Sequence, residues 1–223
     1  MKAFRYAILV CMLLFAVNLS QAATVVDTGP GPTDTTVSYY SLYKGVAGQY
    51  TPQFLAGQFS LSQAYTITEI DGWMYPHGSG TTFTIAIYGD GGLVPNSTQF
   101  FSQQASVGTG TCPPIGPCQP IGWYGLSGLN LSLNQGTYWA AFEVRSGDTF
   151  NGTMPSDAVS LPAHPLTHYA VYNPDAWRVD PADPYPLNTG IRIFGDEASN
   201  VPEPSTMLLL GFGLLGVAGV RRS

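Results

Sequence analysis

Apolar and polar residues alternate with a period of two through much of residues 23–200, and helical periodicity does not appear there. In the run of residues 83–88, for example, Phe83, Ile85 and Ile87 are separated by smaller or more polar residues, and a cluster of glycines ends the run. A period of two places successive side chains on opposite faces of an extended chain. The pattern therefore predicts a β-strand with one buried face.

Short strands of this kind recur, and turn residues separate them. Leu129–Leu133 and Thr137–Val144 flank a short loop that contains Gly136, which predicts a hairpin. The remaining predicted strands are Gln58–Leu61, Tyr65–Ile70, His168–Tyr172 and Ile191–Phe194. The 18 prolines and 26 glycines leave little room for a long helix. Because a sheet with an apolar face must bury that face, we expect an all-β fold, an antiparallel β-sandwich of the jelly-roll type.

Residues 1–22 have the features of a secretory signal peptide. Lys2 and Arg5 precede an apolar run from Ala7 to Val17, and Ser20-Gln21-Ala22 supplies the small residues that signal peptidase requires. The apolar run is about 11 residues long, whereas a transmembrane helix needs about 20. We therefore expect cleavage after Ala22 and export of the remaining chain.

Residues 201–223 combine three features in a fixed order. Pro202-Glu203-Pro204 comes first, an uncharged apolar segment from Thr206 to Val220 follows, and Arg221-Arg222 comes next. The apolar segment is predicted to form a single membrane helix, and the positive-inside rule places the arginines on the cytoplasmic side. In its order of features this segment is similar to the PEP-CTERM sorting signal of Gram-negative bacteria.

This resemblance implies a route for the exported protein. In the family, the tripeptide that corresponds to Pro202-Glu203-Pro204 is read by exosortase, a membrane cysteine transpeptidase. Exosortase removes the helix and passes the protein to the cell surface or to the exopolysaccharide matrix. The alternative is an ordinary tail anchor, in which the two prolines form only a stiff linker next to the membrane.

Residues 23–200 form the predicted ectodomain between these two signals. The order of its motifs resembles that of the jelly-roll ectodomains known as choice-of-anchor domains. The segments that carry this resemblance are Leu42-Tyr43, Ile67–Ile70 followed by Trp73, Ile87-Tyr88 and Leu133–Trp139. The resemblance supports the fold and implies no particular ligand.

The predicted ectodomain is acidic and rich in aromatic residues. Its basic residues are Lys44, Arg145, Arg178 and Arg192, and it holds every acidic residue of the chain except Glu203. Such a surface repels phosphate backbones, so nucleic acid is excluded as a partner. Aromatic residues make up 13% of the chain and charged residues 10%.

Exposed aromatic rings can stack on sugar rings, which makes neutral exopolysaccharide the expected partner. The candidate contact residues are Trp73, Tyr75, Trp123, Tyr124 and Trp177. The alternative is that these side chains fill the core, in which case the protein is an inert structural component of the matrix.

Two cysteines, Cys112 and Cys118, remain after removal of the signal peptide, with five residues between them. In an oxidising compartment this spacing predicts a disulfide that closes a short surface loop. The spacing differs from Cys-x-x-Cys, so redox catalysis is not favoured.

Catalytic motifs are absent from the sequence. It contains neither a Gly-x-Ser-x-Gly elbow nor a glycine-rich phosphate loop with lysine, and we expect a protein without enzymatic activity. The alternative is an extracellular polysaccharide hydrolase, for which Glu69 and Glu143 are candidate carboxylates.

Metal-binding patterns are weak. The histidines are His77, His164 and His168. His164 and His168 are four residues apart, a spacing that aligns two ligands on a helix, but Pro165 lies between them in a segment predicted to be loop and strand. The weak candidates for a calcium site in a proline-rich loop are Asp175, Asp180 and Asp183. No other cofactor is expected.

Overall fold

The computed structural model describes residues 22–31, 39–43, 52–77, 79–108, 120–155, 168–172, 175–179 and 189–198. Within these ranges the regular structure is entirely β, which confirms the predicted class. The strands are β1 (Ala23–Asp27), β2 (Tyr39–Leu42), β3 (Phe54–Leu61), β4 (Tyr65–Pro76), β5 (Thr82–Asp90), β6 (Pro95–Ser106), β7 (Gly122–Leu133), β8 (Gly136–Glu143), β9 (Gly152–Pro155), β10 (Tyr169–Tyr172), β11 (Trp177–Val179) and β12 (Ile191–Glu197).

The strands form two antiparallel sheets. Sheet 1 has the order β1-β12-β4-β9-β2, with β7 also paired to β4, and sheet 2 has the order β11-β10-β3-β8-β5-β6. Two short connections, 62–64 and 134–135, carry the chain between the sheets. This arrangement confirms the predicted β-sandwich, whereas the jelly-roll subtype stays a prediction.

The predicted hairpin at Gly136 is wrong. Strand β7 pairs with β4 in sheet 1, and β8 pairs with β3 and β5 in sheet 2. The loop between β7 and β8 is therefore a crossover between sheets. Alternation correctly identified which side chains are buried, but it carries no information about which strand lies next to which.

The core lies between the two sheets, as the alternation predicts. Phe83, Ile85 and Ile87 of β5 are all fully buried, and they pack in one cluster with Phe142 of β8 and Ile70 of β4. Burying a side chain of this size contributes about 1.5–3 kcal/mol relative to leaving it in water.

Each predicted strand is present, and most of them extend beyond the predicted bounds. The strands without a sequence prediction are β1, β2, β6, β9 and β11. Strand β6 lies at the edge of sheet 2 and exposes most of its side chains, so it shows no apolar alternation that could have indicated it.

Several predictions concern residues outside the described ranges. They are the signal peptide, the segment 201–223 with its Pro202-Glu203-Pro204 motif, the Cys112–Cys118 disulfide, His164, Asp180 and Asp183. Of the residues that the structure describes, none belongs to a helix long and apolar enough to cross a membrane.

Candidate functional site

The outer face of sheet 2 carries a row of alanines. Ala170, Ala56, Ala141 and Ala86 lie directly opposite one another on the adjacent strands β10, β3, β8 and β5. Each is at most 1% exposed, although the core lies on the other side of the sheet. Because a methyl group is much shorter than the neighbouring side chains, the row forms the floor of a groove, which we call the alanine groove.

Aromatic rings from both sides fill the alanine groove. Trp177 and Tyr88 pack against the alanines, and their rings meet edge to face with centroids 6.1 Å apart. The Trp177 ring also lies 5.5 Å from that of Tyr172, which stacks on Phe54 at 5.2 Å. Trp177 therefore joins the β10 side of the groove to the β5 side, although it belongs to the edge strand β11.

A charged cluster borders the groove. Arg145 donates from Nε to Glu143 Oε2 at 2.6 Å and from its terminal nitrogen to Gln99 Oε1 at 2.7 Å. Tyr88 donates to the other Glu143 oxygen at 2.8 Å. The Glu143 side chain is 4% exposed and that of Arg145 is 34% exposed. Burial, together with the charge and hydrogen bond of Glu143, raises the pKa of Tyr88 to about 12, so its hydroxyl remains a donor at neutral pH.

A polar network lies toward the β5–β6 turn. Trp139 is fully buried on this outer face and donates its indole N–H to Asp90 at 3.2 Å. Gln58 donates to the same carboxylate oxygen at 2.9 Å, and its own Oε1 lies 2.8 Å from Nδ1 of His168. The backbone N–H of Gly92 adds a third bond to Asp90 at 2.9 Å. This network fixes the turn against the sheet, and the sequence indicated only the turn itself.

The outer face of sheet 1 has a different arrangement, which we call the tryptophan cluster. Trp73 and Trp123 lie opposite each other on β4 and β7, with ring centroids 5.3 Å apart. The Arg192 guanidinium lies 4.0 Å from the centroid of the Trp123 ring and donates to Asp71 Oδ2 at 2.7 Å. Gly125 lies opposite Asp71 and leaves room for its carboxylate.

A second carboxyl group adjoins this cluster. Burial raises the pKa of Glu69, and so do the hydrogen bond and the negative charge of Asp71, while Arg192 acts in the opposite direction. A hydrogen bond between two carboxyl groups requires one proton between them. Glu69 therefore holds its proton to a higher pH than an isolated glutamate would.

The C-terminal segment is identified by its sequence. Residues 200–222 match the family model of the PEP-CTERM protein-sorting motif. The motif indicates an exported protein that undergoes membrane-associated sorting through exosortase, as the resemblance implied. No curated protein sequence matches the chain.

The aromatic residues predicted to contact sugars do not share one surface. Trp73, Tyr75 and Trp123 lie on the outer face of sheet 1, whereas Trp177 lies on that of sheet 2. Tyr124 faces inward, packs against the core and donates its hydroxyl to the carbonyl oxygen of Pro120. All five are half-buried.

The candidate carboxylates of a hydrolase lie far apart. Glu69 is on the outer face of sheet 1, and Glu143 is on the outer face of sheet 2. The whole thickness of the sandwich separates them, so these two residues cannot flank one glycosidic bond.

The candidate metal ligands that the structure describes are also separated. His77 follows β4 of sheet 1 and lies 3.2 Å from the Thr153 hydroxyl, while His168 precedes β10 of sheet 2. Asp175 accepts a hydrogen bond from Arg178 at 3.2 Å. Across the described ranges, no three acidic, histidine or cysteine side chains come together as a metal site.

Proposed function

We propose that this protein is a non-catalytic component of the cell surface or the exopolysaccharide matrix, and that its ectodomain binds neutral polysaccharide weakly at the rim of the alanine groove. Signal peptidase and exosortase are its processing enzymes. The PEP-CTERM motif supports the route, and the outer face of sheet 2 supports the ligand.

The observation that carries the proposal is the position of Trp177 beside the Glu143–Arg145 cluster. Sugar binding requires an aromatic surface for the C–H face of the ring and fixed polar groups for the hydroxyls. Trp177 is half-buried and contacts Tyr88, whose hydroxyl joins the cluster. Arg145 and Gln99 at the edge of that cluster reach the solvent and can bond to a hydroxyl.

The tryptophan cluster of sheet 1 is less suitable for stacking. Arg192 covers one face of the Trp123 ring, and the edge contact with Trp73 occupies more of the surface. Trp73 is itself close to the backbone, because a Cβ added at Gly190 would lie 2.4 Å from the Cβ of Trp73. These rings stabilise the sheet and leave little free area for a ligand.

The carboxylates also favour a protein without catalytic activity. Glu143 is held in an ion pair with Arg145. On sheet 1, Asp71 next to Glu69 is held in an ion pair with Arg192. Neither arrangement is that of an acid and a nucleophile on either side of a bond.

Affinity electrophoresis in the neutral exopolysaccharide of the producing bacterium tests the ligand. We expect a single-site affinity in the millimolar range, about −4 kcal/mol, so the ectodomain should be tested as a multimer. Trp177→Ala should abolish the retardation. The matched control Trp123→Ala, on the other sheet, should preserve it.

Two outcomes would contradict this assignment. Equal retardation of the wild type and Trp177→Ala would exclude the alanine groove, and no retardation of the multimerised wild type would favour an inert structural role. Sorting is tested separately with Glu203→Ala, which should leave the full tail attached and retain the protein in the inner membrane.

A further inference from the structure

The sequence signals at the two ends of the ectodomain meet at one end of the sandwich. Strand β1 begins at Ala23, directly after the predicted signal-peptide cleavage site, and β12 ends at Glu197. The two strands are antiparallel neighbours, with Ala23 opposite Gly195. Opposed residues in such a pair are about 5 Å apart, so the chain enters and leaves the sandwich at adjacent points. We call this the processing end.

The sorting motif follows the processing end closely. Four residues separate Glu197 from Pro202, and eight separate it from Thr206, where the apolar segment begins. A fully extended chain covers at most about 3.6 Å per residue, which gives about 18 Å over the five steps from Glu197 to Pro202 and about 32 Å over the nine steps to Thr206. While the tail is in the membrane, the processing end must therefore remain near the bilayer surface.

Three turns lie at the processing end, and none of them contains a charged side chain. The connections between β3 and β4 and between β7 and β8 lie there, because both cross between the sheets beside Tyr65 and Gly136. The β5–β6 turn lies at the same end, since Gly89 is opposite Tyr138. The residues of these turns are Ser62–Ala64, Asn134–Gln135 and Gly91–Val94.

Exposed apolar side chains are concentrated at the same end. Leu93 in the β5–β6 turn is 57% exposed and Phe100 of β6 is 53% exposed, the highest values among the large apolar side chains that the structure describes. The Phe100 ring lies 5.6 Å from that of Tyr138, two residues beyond the start of β8. Because the tether to the apolar segment is short, these two side chains are available for contact with the bilayer.

We infer that, in the membrane-bound precursor, the processing end rests on the bilayer surface with Leu93 and Phe100 inserted at the boundary between headgroups and acyl chains. This inference rests on the proposed sorting route. Apolar side chains at such a boundary bind by burial of their surface. The nearby side-chain charges, Asp90, Asp196 and Glu197, are acidic, and the expected cleavage adds the single α-amino group of Ala23. The end therefore has no basic patch for anionic headgroups, and an apolar contact with zwitterionic lipids suits it. It would hold Pro202-Glu203-Pro204 close to the membrane that contains exosortase.

Photo-crosslinking of the full precursor tests this orientation. The chain carries Glu203→Ala to keep the tail attached, and a photoreactive phenylalanine derivative replaces Leu93, Phe100 or, as the control, Ser146. Ser146 is exposed in the turn after β8, at the opposite end of the sandwich. In vesicles of phosphatidylcholine and phosphatidylethanolamine, we expect lipid adducts at positions 93 and 100 and no lipid adducts at position 146.

The outcomes separate this inference from the sorting route. If alkaline carbonate releases the precursor from the membrane, the tail is not inserted and both proposals fail. If the precursor is retained but position 93 forms no lipid adduct, or position 146 forms as many, only the orientation is wrong. A protein adduct at position 93 in cells with exosortase, without a lipid adduct, would assign this end to an enzyme contact instead.

Discussion

Sheet 2 carries its smallest outward side chains in register across four strands, whereas sheet 1 carries two of its largest side by side. The alanines of sheet 2 leave a groove that Trp177 and Tyr88 enter from neighbouring segments. On sheet 1, Trp123 contacts both Trp73 and Arg192, and these side chains occupy the face between them. Small side chains in register thus leave space in which a ring from another strand can pack, whereas large side chains in register pack against one another. We propose the ligand site at the first arrangement, whereas the second arrangement stabilises sheet 1.

Gly125→Ala should give the largest effect, on sheet 1. A Cβ at this position would lie 1.9 Å from the carbonyl oxygen of Ile70 and 2.5 Å from the Asp71 carboxylate. Since the nearest atom belongs to the backbone, the β4–β7 pair must separate, and we expect a loss of about 3 kcal/mol in urea unfolding. The matched control Gly147→Ala, with nothing within 4 Å, should change stability by less than about 0.5 kcal/mol. Equal effects of the two substitutions would contradict the close packing of sheet 1.

Ala141→Leu should give the next largest effect, on sheet 2. The longer side chain would occupy the centre of the alanine groove and displace Trp177 or Tyr88. We expect a loss of about 2 kcal/mol, and a shift of the Trp177 fluorescence to longer wavelength relative to a Trp177→Phe reference. Ser102→Leu is the control, because Ser102 continues the row on edge strand β6 but is exposed. If Trp177 emission does not respond to Ala141→Leu, the ring does not lie in the groove.

The sequence predicted the inner faces of the sheets but not the outer ones. The alternation around Phe83, Ile85 and Ile87 records burial on one side, which a local pattern can reveal. The alanine groove, by contrast, arises from pairing among strands that are far apart in the chain, since Ala56 lies opposite both Ala141 and Ala170. Register over such separations depends on the whole fold, so no local pattern could have placed Trp177 beside Tyr88. The wrong hairpin between β7 and β8 has the same cause.

Arg145→Ala should have a smaller effect on sheet 2. It would leave the buried Glu143 carboxylate without its ion-pair partner, and because Arg145 is partly exposed we expect a loss of about 1.5 kcal/mol. Adding Glu143→Gln should restore much of that loss, since the unpaired charge is then removed. The control Arg178→Ala breaks the exposed pair with Asp175 and should cost less than about 0.5 kcal/mol. A loss in the double variant as large as the sum of the two single losses would show that the charges are not coupled.

The smallest expected effects are opposite pH dependences on the two sheets. On sheet 1, burial and Asp71 raise the folded pKa of Glu69 above its ordinary value of 4.5, so the folded state binds this proton more tightly than the unfolded chain. The resulting stability is fully present below the ordinary value and is lost as the pH rises through the folded pKa. Glu69→Gln keeps a donor for Asp71 without needing a proton. We therefore expect the variant to gain less than about 1 kcal/mol over the wild type at neutral pH and to lose this advantage in acid.

On sheet 2, the pKa of Asp90 is shifted in the opposite direction to that of Glu69. Burial acts to raise the pKa of Asp90, but the hydrogen bonds from Gln58, Gly92 and Trp139, with the charge of His168, lower it below its ordinary value of 3.8. This stability is present above the ordinary value and is lost as the pH falls through the folded pKa. Thermal unfolding between pH 3 and pH 7 should therefore show that Asp90→Asn loses stability most at neutral pH and approaches the wild type in acid, whereas Glu69→Gln gains most at neutral pH. If the stability of both variants changes in the same direction relative to the wild type as the pH is varied, the pKa shifts of Glu69 and Asp90 are not opposite.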